Sequence, residues 1–169
     1  MDTILIFRCL LPIIGFLGVI LSVKFIKPPK KILYLSLRLG WIAGVLNLIV
    51  DAIQQHFKFW HYTVDNLYFG FPLDLYVSVS LVVGVVLPLI YWYLQSFNPK
   101  RLTLFILILP LYFLLQDYLV TKATGDRVLM LDSPYWWISD FLSLIVIVWG
   151  TLFIFNYFLS RINNQNSPS

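Results

Sequence analysis

Four aspartates sit where a carboxylate is costly. Asp51, Asp74, Asp117 and Asp140 fall inside or at the ends of long apolar runs, and a carboxylate at such a depth needs a partner, a cavity or water. All eight acidic residues are Asp, with no Glu, so exposed helices laced by Glu/Lys pairs are not expected. Asp74 follows Pro72-Leu73 and Asp140 follows Ser139, first-turn positions where a carboxylate also complements the helix dipole. Asp51 and Asp117 lie near helix C-terminal ends, where the dipole opposes them. A carboxyl group in apolar surroundings can hold and donate a proton, and nearby Trp, Tyr or Phe faces can stabilise a cation. The expected chemistry is therefore acid catalysis, ranked Asp74 and Asp51 first, Asp140 and Asp117 next and His61 last. Arg8 is the expected basic partner.

Other chemistries lack their residues. The single Cys9 forms no internal disulfide, and no Cys or His cluster has metal-site spacing. There is no Gly-rich phosphate loop, nucleophile elbow or HExxH helix. His56 and His61 are better placed as interfacial side chains than as ligands. No metal, cofactor or nucleic acid is expected.

Gly40, Gly44, Asn47, Asp51 and Gln54 recur at spacings of three and four, so they share one helical face, small and then polar. Gly40 and Gly44 form a GxxxG pair suited to close approach by another helix, from this chain, a second copy or a partner. Asp140, Ser143 and Thr151 form a weaker set.

The elements that must position these residues follow from composition. Of 169 residues, 60% are hydrophobic, 18% aromatic and 12% charged, with mean hydropathy +0.84, too little charge to disperse a soluble domain. The expected fold is an all-α polytopic membrane bundle with the bilayer as its first partner. Five runs approach the length of a bilayer span, 3–23, 32–54, 72–94, 102–120 and 138–160. Residues 1–160 thus read as one transmembrane domain and 161–169 as a disordered polar tail. The first run lacks a basic n-region and a cleavage site, and reads as a retained helix. Lys24, Lys27, Lys30, Lys31, Lys100, Arg101 and Arg161 fall on one side, and Lys58, Lys122 and Arg127 on the other. The richer side is expected in the cytoplasm, with the N-terminus outside and the C-terminus inside. Asp51/Asp74 and Asp117/Asp140 repeat at one offset, which echoes spans 2 and 3 in spans 4 and 5 and predicts four carboxylates around one site.

Trp60-His61-Tyr62, followed by Leu67-Tyr68-Phe69-Gly70-Phe71-Pro72-Leu73-Asp74, resembles a segment of the small multi-span membrane lycopene cyclases. There a Trp-x-aromatic loop precedes a Gly-x-Pro-x-Glu-Glu helix start. The resemblance implies proton-initiated ring closure of a linear carotenoid, an isomerisation without net redox change. Gly70, Pro72 and Asp74 occupy its motif positions, while Leu75 stands at the second acid. Trp60, Tyr62, Phe71, Trp136 and Trp137 are the expected contacts for a hydrophobic isoprenoid. A small carrier or ion pathway, and a non-enzymatic assembly subunit, remain alternatives.

Overall fold

The computed structural model describes residues 3–63, 72–97, 99–125 and 127–164. Helix α1 (Thr3–Ile26) and α2 (Lys30–His56) precede a short strand β1 (Trp60–Tyr62). The third span joins α3 (Leu73–Leu81), a π-helical turn (Val82–Val86) and α4 (Leu87–Phe97). Helix α5 (Pro99–Thr124), strand β2 (Leu129–Leu131) and α6 (Trp136–Asn164) complete the chain. Five helical segments are long and apolar enough to cross a membrane, which gives the chain the build of a multi-pass membrane protein. The outward surface agrees: Trp41 is 81% exposed and Phe153 74%, a cost that lipid removes.

The helices run a few residues past the apolar windows because backbone hydrogen bonding continues through their polar ends. Helix α6 continues through Arg161 to Asn164, into the stretch read from sequence as a loose tail. Successive spans alternate in direction and give the bundle two unlike ends. One gathers the Lys-rich turns at 24–31 and 100–101; the other carries the strands.

The core lies between α2, the third span and α6, around Leu39, Ala43, Leu89, Val148 and Phe155. Few residues of the α1 and α5 windows are buried. Gly40 and Gly44 are already occupied by this chain. A Cβ on Gly84 would lie 2.4 Å from the Gly40 Cα, and one on Gly40 3.2 Å from the Ser80 carbonyl oxygen. Only paired glycines let these two backbones touch. The face expected to offer itself to a second copy or partner helix is thus covered by the third span.

The π turn has a local cause. Pro88 has no N–H to donate to the Gly84 carbonyl, and the Leu87 N–H bonds instead to the Val82 carbonyl, five residues back. At the strand end of the bundle α2 closes with Lys58 at φ 55°. The Lys58 and Phe59 N–H groups donate to the Gln55 and Gln54 carbonyls at 3.1 Å, a helix stop that turns the chain into β1. Strand β1 then pairs antiparallel with β2, Trp60 opposite Leu131 and Tyr62 opposite Leu129. Neither strand is evident in the sequence, where both stretches read as aromatic loops.

Candidate functional site

A cavity of about 640 Å3 runs through the bundle, bounded by α1, α2, the third span, α5, α6 and both strands. Its two ends differ. Toward the basic end it is walled by Val86, Leu87, Ile90, Phe105, Leu109 and Ile147. Toward the strand end it carries Asn47, Asp51, Tyr62, Gln116, Asp117 and Asp140. From Phe105 to Thr121 the α5 lining extends over about 24 Å at about 1.5 Å per residue, so the space is a long apolar shaft with an acidic head.

Asp51, Asp117 and Asp140 come from α2, α5 and α6 and meet at this head. Asp51 is the most firmly held. Its Oδ2 accepts the Tyr76 hydroxyl at 2.6 Å and the Tyr62 hydroxyl at 3.0 Å, with Asn47 Nδ2 a weaker donor at 3.4 Å. Hydrogen bonds to a charged acceptor stabilise by about 1.5–3 kcal/mol each, which offsets part of the cost of burying this carboxyl among apolar walls. Burial first, and then the Asp51 charge, push the Tyr62 phenol well above its ordinary 10.0, so Tyr62 acts toward Asp51 as a donor. Asp140 is held differently: its Oδ2 is buried and has no hydrogen-bond partner.

Strand alternation aims the aromatic residues. Trp60 and Tyr62 turn toward the cavity with their rings edge to face at 5.1 Å. His61 points outward, where its Nδ1 lies 2.7 Å from Asp132 Oδ2 across the strand pair. Beneath them Gln54 ties α2 to α6: its amide donates to the Ser139 carbonyl at 3.1 Å and to the Ser143 hydroxyl, and Ser139 Oγ donates back at 2.7 Å. Gln54 is thereby buried and satisfied.

Other expected site residues lie elsewhere. Asp74 does not line the cavity; it forms a two-pronged ion pair with Arg8, Nε to Oδ2 at 2.8 Å and a terminal nitrogen to Oδ1 at 2.7 Å. The anticipated ring of four carboxylates is thus a group of three plus one acid paired to α1. Trp136 stacks on Tyr118 with centroids 6.1 Å apart, and Trp137 is exposed; neither lines the cavity. Phe71 and Gly70, with the loop before Pro72, lie outside the described residues. Tyr76 escaped the sequence reading, although at 25 residues from Asp51 it faces α2 from the start of the third span.

Among the described residues, no group of three His, Cys or Asp side chains is placed to hold a metal ion. No protein-family model, curated protein or solved structure matches the chain.

Proposed function

We propose that this protein is a membrane-embedded acid catalyst that protonates the end of a linear, isoprenoid-type hydrocarbon, as a lycopene cyclase does. The observation that carries the reading is a cavity that joins an apolar shaft to an acidic, aromatic head. The shaft suits an extended hydrocarbon whose only driving force for binding is apolar contact. The head supplies carboxyl groups for proton transfer and, in Trp60 and Tyr62, aromatic faces for the tertiary carbocation that protonation of a trisubstituted double bond creates. Asp51, braced by two tyrosines, has the fixed geometry of an electrostatic stabiliser, whereas Asp140 has an oxygen that makes no hydrogen bond within the protein and suits the proton donor. Asp117 completes the group from α5. The orientation favoured by the loop charges puts this head at the outer face, with the Lys-rich turns in the cytoplasm.

An ion pathway needs polar groups along its length. Here the wall from Val82 to Ile90 and from Phe105 to Leu109 is apolar, which favours the enzyme over the carrier.

The test is expression in cells that accumulate lycopene, with chromatography of extracted lipids. New product from the wild type, lost in Asp140→Asn and Asp51→Asn proteins that accumulate normally, is expected. Unaltered lipids with wild-type protein present in the membrane would refute the proposal.

A further inference from the structure

Two residues of the cavity wall also belong to the outer surface of the bundle. Ile14 and Tyr112 both line the cavity, and each is 57% exposed, whereas the other lining residues are buried or half-buried. They stand on different helices, Ile14 at the middle of α1 (Thr3–Ile26) and Tyr112 at the middle of α5 (Pro99–Thr124). Helix α1 packs on the third span and α5 on α6 and α4, and α1 and α5 make no extended contact with each other. Toward the basic end α4 closes on α5; α3, level with the acidic head, has no comparable contact with it. A proline lies two positions before each residue, Pro12 and Pro110, and removes a helical hydrogen bond there. In α5 the carbonyl so released, that of Ile106, accepts the Trp149 indole N–H at 3.2 Å, which fastens α5 to α6 and not to α1.

We propose that Ile14 and Tyr112 are the posts of a side entrance, through which a hydrocarbon without a polar head group passes from the middle of the bilayer into the cavity. The inference rests on the membrane-embedded reading above and adds how the substrate arrives and which molecules are admitted. Each post lies about 16–20 Å from either end of its helix at about 1.5 Å per residue. With both helices across an apolar layer about 30 Å thick, the entrance opens near its midplane. A phospholipid cannot carry its head group to that depth without stripping it of water, which is costly, whereas a long hydrocarbon with no head group dissolves there. Tyrosine ordinarily sits at the two interfaces of a span. At mid-span, where the cavity wall meets the surface, Tyr112 instead offers aromatic surface to a passing polyene. Past the posts, Leu109, Val82 and Val86 continue the apolar wall inward, so a chain that enters meets no polar barrier before the acidic head.

The experiment uses the full chain in phosphatidylcholine vesicles and an octadecane that carries a diazirine at mid-chain, delivered from cyclodextrin and flashed at intervals. Mass spectrometry of the protein is expected to find the label on Leu109, Val82 and Val86. The Ile14→Trp/Tyr112→Trp double variant is expected to slow its appearance about tenfold with the final extent unchanged, as a narrowed gate would. Ile13→Trp/Leu111→Trp is the control, since Ile13 and Leu111 are 52% and 54% exposed and do not line the cavity; it is expected to label at the wild-type rate. Equal rates in the two double variants would overturn the entrance. So would a fall in final extent for the post variant, which would make the posts part of the binding space alone, and so would an unlabelled wall in the wild type. Equally strong labelling of these residues by a phosphatidylcholine with the diazirine in its acyl chain would overturn the choice of a headgroup-free occupant. Post-dependent labelling without any product from lycopene would refute acid catalysis and leave the entrance standing.

Discussion

Arg8 and Asp74 are joined by two hydrogen bonds, 2.8 and 2.7 Å long, that fasten α1 to the third span. Both side chains are mostly buried, 14% and 26% exposed, where loss of one member leaves the other charge uncompensated. Arg8→Ala or Asp74→Asn alone should lower stability in detergent by about 2 kcal/mol. The double variant should lose less than the two singles added, as a double-mutant cycle of thermal melts would reveal.

Asp74 also separates position in a motif from position in a site. Per folded molecule, Asp74→Asn should retain most of the turnover, whereas Asp51→Asn, Asp117→Asn and Asp140→Asn should each lose on the order of a hundredfold, the usual scale for a displaced acid or base. Product formed per unit of folded protein, measured beside the melting curve, distinguishes the two behaviours.

The crossing of α2 and the third span is the least forgiving contact. Gly84→Ala would drive a methyl to 2.4 Å from the Gly40 Cα, and the backbones must part at a cost of about 2 kcal/mol or more. Gly150→Ala meets nothing within 4 Å and should be neutral within about 1 kcal/mol. Thermal unfolding of the pair provides the comparison.

Tyr62 gives a pH signature of known sign. Its phenol holds its proton more tightly folded than unfolded, so its contribution to stability is intact below pH 10.0 and lost as pH rises beyond it. Melting temperature should fall more steeply above that pH in the wild type than in Tyr62→Phe, with the two curves offset but parallel below it.

The five spans were legible because apolar runs of this length admit almost no other structure. The small face of α2 was legible from its spacing, but what it met was not: Gly40 and Gly84 lie on different spans, and single-sequence periodicity cannot match one helix's rotation to another's. The same gap placed Asp74 in the cavity on paper, though its side chain faces Arg8. The strands were missed because three residues carry no period, and their pairing joins segments about 70 positions apart. Pro88, four residues after Gly84, was the available signal for the π turn.

The strand pair sets a condition on chemistry. Trp60 and Tyr62 from β1, with Val128 and Leu129 at β2, wall the acidic head with ring and aliphatic surface at the strand end. The catalyst proposed above, walled in this way, is poorly served by a reaction that drains protons and must draw a fresh one from bulk water each cycle. It is well served by one that regenerates its own acid, so that turnover is paced by the arrival and departure of a greasy molecule through the bilayer.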